Sequence, residues 1–220
     1  MNTSNMNTSR HVTLYHSPQT RSSGALTLLE ELGADYDLHV LNMKAGENRQ
    51  APYLAINPMG KVPAITHTGA LVTEQVAVFL YLADLYPEAN ITPVMGDPLR
   101  GPYLRWMAFY GSCFEPAAVD KAMKRDSGGP SMSPYGSFDD VWNAVTTQLA
   151  PGPYMLGERF TALDVLWGSA LNWMTMFGIA PETPVVRAYI DRVRARPAVA
   201  RVAQIDADLV AKRDAALTVK

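Results

Sequence analysis

The chain has 220 residues, 48% hydrophobic and 18% charged, and its 19 Lys and Arg against 21 Asp and Glu leave a net charge of -2. That balance fits one large globular domain or two small ones. It excludes a chain disordered throughout and a basic surface built for nucleic acid. Cys113 stands alone, which excludes an internal disulfide and any Cys-x-x-Cys metal or redox motif. No run approaches the ~18 apolar residues of a membrane span. The polar start over residues 1–10, with Met6 as a second initiator, lacks the apolar core of a secretory signal, so a cytoplasmic location is expected.

In chain order, residues 12–16 alternate and are β-rich, which predicts a strand. Ala25, Leu26, Leu28, Leu29 and Leu32 then form a helical face closed by Gly33. Tyr36, Leu38, Val40 and Leu41 predict a second strand, residues 42–49 a polar loop, and Tyr53, Leu54 and Ile56 a short helix stopped at Asn57-Pro58. Residues 62–66 and 70–72 read as a hairpin about His67-Thr68-Gly69. A buried helix over residues 74–85 carries Val76, Val78, Phe79, Leu80 and Leu82 and stops at Pro87. The order is β-α-β-α-β-β-α, with the first two strands parallel through a right-handed crossover. Pro93, Gly96, Pro98 and Gly101 then break the periodicity and predict a linker. Beyond it the periodic segments are helical, over residues 103–119, 138–149, 162–177, 184–195 and 198–217, with a Gly/Pro/Ser loop over 126–136. The expected architecture is an α/β domain over residues 11–87 and an all-helical domain over 98–220.

Three segments carry candidate chemistry. In Asn57-Pro58-Met59-Gly60-Lys61-Val62-Pro63-Ala64-Ile65 a turn leads to a proline at the start of a strand, where it cannot donate to the ladder. With a trans bond this is an ordinary turn. A cis Val62-Pro63 bond would instead face the Val62 N–H and C=O outward, ready for an extended peptide. Thr73-Glu74-Gln75 precedes a buried helix: Thr73 can cap it, or the free N–H groups can hold a carboxylate while Glu74 holds an ammonium group. The turn His16-Ser17-Pro18-Gln19-Thr20-Arg21-Ser22-Ser23 opens the first helix, where backbone N–H groups and a hydroxyl would stabilise a thiolate. Ser22 is the first candidate for that hydroxyl, with Ser17, Thr20 and Tyr15 as others, and a serine there is equally a good N-cap.

The remaining features read more simply. Thr161 to Asp164 fits a capping box that starts a buried helix. Trp167, Leu171, Met174 and Phe177 form a core stripe, and Cys113 reads as a small buried hydrophobe. Tyr110 and Trp106 either line an apolar pocket or pack in the core, while Lys44 and Arg49 are solvated or meet a carboxylate. His16 and His67 can titrate but show no partner in the sequence, and no ligand set at paired spacing predicts a metal.

Taken together, Leu14-Tyr15-His16-Ser17-Pro18 leading to Arg21-Ser22, the segment 57–65, Thr73-Glu74-Gln75 with Tyr81-Leu82-Ala83-Asp84, and the run from Gly157 to Val165 resemble cytosolic-type glutathione transferases of the bacterial kind. The resemblance spans about residues 11–200 and rests on the order and spacing of these pieces. It implies a thioredoxin-like N-terminal domain, an all-helical C-terminal domain, and a cytoplasmic homodimer. It also implies that Val62 pairs with the cysteinyl backbone of glutathione across a cis Pro63, and that Glu74 and Gln75 hold the γ-glutamyl end. Many relatives carry Ser or Thr in place of Gln75. Lys61, Ser17 and Arg21 are counted with the binding residues. Beta-class relatives have a Cys at the position of Arg21, which this chain lacks, leaving Ser22 as the implied thiol partner.

The implied function is conjugation of the thiolate of reduced glutathione, as co-substrate, to a small hydrophobic electrophile, as in detoxification. Disulfide or peroxide chemistry with the same thiol, and a non-catalytic interaction module on the same fold, are the alternatives. Neither a metal, a nucleic acid nor a membrane is expected as a partner.

Overall fold

A computed structural model describes residues 10–129 and 131–218 of the chain. The polar start over residues 1–9, Met6 included, lies outside the described residues, as does Pro130. The chain runs through β1 (Val12–His16), α1 (Arg21–Leu32), β2 (Tyr36–Val40), two 3-10 turns (Met43–Ala45 and Glu47–Arg49), α2 (Ala51–Leu54), β3 (Ala64–His67), β4 (Ala70–Val72) and α3 (Gln75–Leu85). After a third 3-10 turn (Pro87–Ala89) come α4 (Arg100–Phe109), a π-helical turn (Tyr110–Phe114), α5 (Glu115–Ala122), α6 (Phe138–Leu149), α7 (Ala162–Met176), α8 (Pro184–Arg194) and α9 (Pro197–Thr218). The β-α-β-α-β-β-α order followed by helices is the one the sequence predicts.

Contacts divide the chain into two compact units, one made of the residues up to Ala89 with those from Pro197 on, the other of Asn90–Arg196. The helical domain was expected to run on to residue 220, whereas α9 packs on α1 in the first unit. Periodicity shows that a segment is amphipathic; it does not show which surface that segment covers.

The first unit is built on a four-stranded sheet in the order β2-β1-β3-β4. Strands β1 and β2 are parallel, with Val12 opposite Tyr36 and His16 opposite Val40, while β3 runs antiparallel to both β1 and β4. Central β1 is buried along most of its length, including Val12, Leu14, Tyr15 and His16. Helix α1 buries Ala25, Leu26, Leu28 and Leu29, and α3 buries Val78, Phe79, Leu82 and Ala83. Each of these Leu or Phe side chains stabilises the fold by about 1.5–3 kcal/mol relative to exposure. Thr20 caps the start of α1, its side chain accepting from the Ser22 N–H, and Gly33 ends the helix in the left-handed region at φ 59. Strand β3 begins at Ala64, two residues later than predicted, because Pro63 has no N–H to give a ladder.

In the second unit, Trp167 is fully buried, with its ring centroid 5.7 Å from Trp106, 5.4 Å from Tyr110 and 4.7 Å from Phe114. Its Nε1–H donates to the Trp106 carbonyl at 3.3 Å. Trp106 and Tyr110 are therefore core residues, and Leu171 and Met174 are buried as expected. Phe177 is 61% exposed, since it follows the last residue of α7 and leaves the buried stripe. The single helix predicted over residues 103–119 is interrupted by the π-helical turn, in which the Glu115 N–H bonds to the Tyr110 carbonyl five residues back. Pro116 accounts for the interruption: its ring lacks a donor and collides with a normally placed carbonyl four residues earlier.

Asp164 locks the start of α7. Its carboxylate accepts from the N–H groups of Met155 and Thr161, each at 2.8 Å, and from the Tyr189 hydroxyl at 3.0 Å, and the expected capping box with Thr161 is present. Burial pushes the Asp164 carboxyl up and outweighs these bonds.

Candidate functional site

The turn between β1 and α1 holds the candidate hydroxyls, and the fold treats them differently. Ser22 and His16 have no exposed surface, and Ser17 is buried. The Ser22 Oγ lies 2.9 Å from His16 Nδ1 and 2.8 Å from Thr20 Oγ1, and accepts from the Ser17 N–H at 3.1 Å. The Thr20 hydroxyl donates to the Ser17 carbonyl at 2.8 Å and remains half-buried, at the N-terminus of α1. Ser23 is half-buried as well, but its hydroxyl donates to Asp206 at 2.6 Å. Tyr15 packs in a small apolar cluster with Leu41, Tyr53 and Ala64. Ser22, the hydroxyl expected at the thiol, therefore stands behind Thr20, facing the interior.

Behind that turn stands a carboxylate from α9. Asp206 Oδ1 lies 2.9 Å from His16 Nε2, and Oδ2 accepts from the Gln19 N–H at 2.9 Å and from Ser23. Burial works to raise the Asp206 carboxyl, but the bonds from His16, Ser23 and Gln19 outweigh it and hold the group below the ordinary carboxylate range. Neither member of this pair was assigned a role from sequence. His16 showed no partner because its partner is 190 residues away, on a helix whose pattern is ordinary.

The second wall of the site is the segment before β3. The Val62–Pro63 peptide is cis, as the family resemblance implied. Val62 is half-buried and precedes the β1–β3 ladder, which begins at Ala64. The residues leading to it are pinned from behind. The Tyr53 hydroxyl donates to the Lys61 carbonyl at 2.6 Å, Asn57 Nδ2 donates to the same oxygen at 2.9 Å, and Asn48 Nδ2 donates to the Gly60 carbonyl at 2.8 Å. Gly60 has φ 60, and a Cβ there would fall 2.5 Å from the Asn48 carbonyl oxygen, so only glycine fits. The Lys61 side chain is exposed; Arg49, also exposed, donates to the Met59 carbonyl at 2.9 Å.

The third wall is the start of α3. The capping position belongs to Glu74, one residue later than the Thr73 cap considered from sequence. Glu74 is exposed and sits at φ 63, ψ 117, a sparsely populated conformation for a residue with a side chain. The next residue, Gln75, donates through Nε2 to the carbonyl of Arg21 at 3.3 Å. Arg21 opens α1 with its side chain exposed. The N-termini of α1 and α3 are thereby tied side by side, each carrying the positive end of a helix dipole; at α1 the Ser22 and Ser23 N–H groups bond to the Thr20 hydroxyl and carbonyl oxygens. Such a place takes anions.

Among the described residues no group of three or more His, Cys, Asp or Glu could hold a metal ion, and no helix is long and apolar enough to cross a membrane. Cys113 is half-buried, within 3.9 Å of the Pro134 carbonyl in the second unit.

Comparison with known proteins gives a consistent picture. The family model described as "Glutathione S-transferase, N-terminal domain" matches residues 10–84. The chain is 37% identical over 179 residues to a maleylacetoacetate isomerase of Pseudomonas aeruginosa, covering 76% of this chain and 82% of that one. It is 27% identical over 184 residues to the glutathione S-transferase PARB of Nicotiana tabacum, covering 77% of this chain and 86% of the relative. Among solved structures, a sphingomonad glutathione S-transferase complexed with glutathione superposes with a TM-score of 0.74 at 27% identity, over 89% of this chain and 98% of that one.

Proposed function

Because this chain belongs to the glutathione S-transferase family, we propose that it binds reduced glutathione across the paired N-termini of α1 and α3 and adds the thiolate to a small hydrophobic electrophile. The observation that carries this reading is the Gln75–Arg21 link, which sets two anion-favouring helix ends beside each other. Glutathione in its reactive form has three anionic groups, two carboxylates and a thiolate. Glu74 and Gln75 take its γ-glutamyl end, with the Glu74 carboxylate on the ammonium group. The backbone of Val62, ahead of Pro63, pairs with the cysteinyl residue, and Lys61 and Arg21 supply positive charge along the ligand, with Ser17 shaping the turn.

The sulfur then meets the hydroxyl of Thr20 at the positive end of the α1 dipole. Thr20 is chosen over Ser22 because Ser22 has no exposed surface, while Thr20 is half-buried at the helix end. Ser22 holds Thr20 from behind. A free thiol has a pKa near ~8.5, and lowering it by about two units requires roughly 2.7 kcal/mol of preference for the thiolate. One charged hydrogen bond gives about 1.5–3 kcal/mol, so the hydroxyl and helix end together suffice. No enzyme-bound covalent intermediate is formed. We read the enzyme as a cytoplasmic homodimer, and sedimentation of the purified protein tests the dimer.

A second reading is favoured by the 37% identity to an enzyme named as an isomerase: the same thiolate adds to an unsaturated carbon and leaves again, so that no conjugate accumulates. A substrate panel scored for conjugate and for isomer separates the two.

The test is a pH titration of the thiolate absorbance of bound glutathione, run beside turnover with an aryl halide. Thr20→Ala is expected to move the thiol most of the way back toward ~8.5 and to lower kcat by about 10–100-fold, in line with the loss of one charged hydrogen bond. Full activity in Thr20→Ala with loss in Ser22→Ala would give the contact back to Ser22. No binding of glutathione at all would sink the enzyme reading and leave a non-catalytic module.

A further inference from the structure

Activating a thiol leaves a proton to be placed, and the interior behind Thr20 has a place for it. We infer that His16 receives the thiol proton through Thr20 and Ser22, and that Asp206 on α9 holds the imidazole in the form that can accept it. The inference rests on the reading that the Thr20 hydroxyl meets the sulfur.

The geometry is a continuous chain. Asp206 Oδ1 to His16 Nε2 is 2.9 Å, His16 Nδ1 to Ser22 Oγ is 2.9 Å, and Ser22 Oγ to Thr20 Oγ1 is 2.8 Å. An ionised carboxylate can only accept, so the Nε2 atom carries a proton in either charge state of the ring. In the neutral imidazole Nδ1 is then an acceptor 2.9 Å from the Ser22 hydroxyl, nearer than that hydroxyl's other acceptor, the Ser17 carbonyl at 3.1 Å. The Thr20 hydroxyl is left to donate to Ser22 or to the Ser17 carbonyl, both 2.8 Å away.

When the thiol ionises, the S–H bond breaks and its proton passes to Thr20 Oγ1. The Thr20 proton passes to Ser22 Oγ, and the Ser22 proton to His16 Nδ1. One proton enters the chain at the sulfur and one arrives at the ring, and each hydroxyl ends neutral. Afterwards each hydrogen bond between the ring and the sulfur points the other way: the ring donates to Ser22, Ser22 to Thr20, and Thr20 to the thiolate. The same shift that stores the proton therefore aims the Thr20 hydrogen at the sulfur. The positive ring lies against the Asp206 carboxylate, which keeps its charge and is held in place by Gln19 and Ser23. A charged pair between α9 and α1, Arg201 with Glu30 at 2.7 Å, lies farther along these helices and takes no part. His16 and Asp206 never touch the sulfur; they are positioning residues that act through Ser22 and Thr20.

The deciding measurement is a proton count. Glutathione is bound to the wild-type enzyme at neutral pH by calorimetry in buffers of different ionisation enthalpy, and the thiolate formed is read from its absorbance. The expected result is thiolate formation with close to no proton released to the buffer. Release of one proton for each thiolate formed overturns the inference while leaving the function above intact. Absence of any thiolate overturns both.

Variants give a second readout. His16→Gln and Asp206→Asn are expected to lower kcat at least tenfold, toward the ~10²–10⁴ typical of a positioned proton acceptor, with KM for glutathione changed by less than about twofold. The pH profile of kcat should shift to higher pH in both. Arg201→Ala, which loosens α9 without touching the chain of hydroxyls, should keep kcat within about twofold. An equal fall of kcat in Arg201→Ala would assign the effect to packing of α9 and overturn the inference.

Discussion

The molecule contains two buried carboxylates that do the same mechanical job in different surroundings. Asp164, in the second unit, gathers the N–H groups of Met155 and Thr161 and the hydroxyl of Tyr189. Asp206, in the first, gathers the Gln19 N–H, the Ser23 hydroxyl and the ring of His16. Each joins segments that the chain brings together only by folding. Yet burial wins at Asp164 and raises its carboxyl, while hydrogen bonds win at Asp206 and lower it. Asp164 has no exposed surface, whereas Asp206 keeps some, so its hydrogen bonds have a smaller cost of burial to offset. The number of donors is therefore a poor guide to charge, and depth of burial is a better one. Asp164 fastens a helix; Asp206 fastens the turn between β1 and α1.

The largest expected effect tests the fastening role. Asp164→Ala would strand two buried N–H groups and the Tyr189 hydroxyl, and should cost about 3–5 kcal/mol of stability in denaturant melts, enough to leave little folded protein. A loss under about 1 kcal/mol would show that water or neighbouring groups replace the carboxylate. A smaller effect sharpens the contrast between the units through two glycines. A Cβ at Gly168 would meet Val193 at 2.6 Å, and one at Gly60 would meet the Asn48 carbonyl at 2.5 Å. Alanine at either position should cost about 1–3 kcal/mol. Only Gly60→Ala should also raise KM for glutathione, since it displaces the turn that presents Val62. Equal KM values for the two variants would remove that segment from the binding site.

The most delicate effect is the dependence on pH. The Asp206 carboxyl is lowered in the folded chain, so its contribution is present above the unfolded value, near ~3.9, and is lost as pH falls through the lower folded one. The Asp164 carboxyl is raised, so its contribution is fullest in acid and declines as pH rises through its folded value. Melts from acid to neutral pH should show the gap between wild type and Asp206→Asn closing in acid, and the gap to Asp164→Asn widening there. Parallel behaviour of the two gaps would contradict the contrast.

Most of this fold could be read from the chain. The strands and helices of the first unit follow from apolar spacing and from stops such as Gly33 and Pro87, and α6 begins and ends where predicted. The capping box of Thr161 and Asp164 was legible because its two residues are three apart. What could not be read depends on long range. The interruption at residues 110–114 needed the effect of Pro116 to be weighed against an otherwise continuous helical pattern. The depth of Ser22 below Thr20 depends on which face of a turn is covered. The partner of His16 lies on a helix whose spacing gave no hint of its destination, so half of the buried pair was named without its role and the other half was not named at all.

The 190 residues between His16 and Asp206 also set an order of events during synthesis. Strand β1 and helix α1 are made early, but the carboxylate that steadies the turn between them is added only after all of the second unit. At about 5–20 residues per second a ribosome needs on the order of 10–40 s to cover that interval. For that time the nascent turn has no carboxylate behind it, and the groove on α1 that α9 will fill stays open. A fragment ending before Pro197 never leaves that condition. The turn between β1 and α1, where the thiol site is proposed, is thus coupled to α9, and a stop before Pro197 removes the carboxylate behind it.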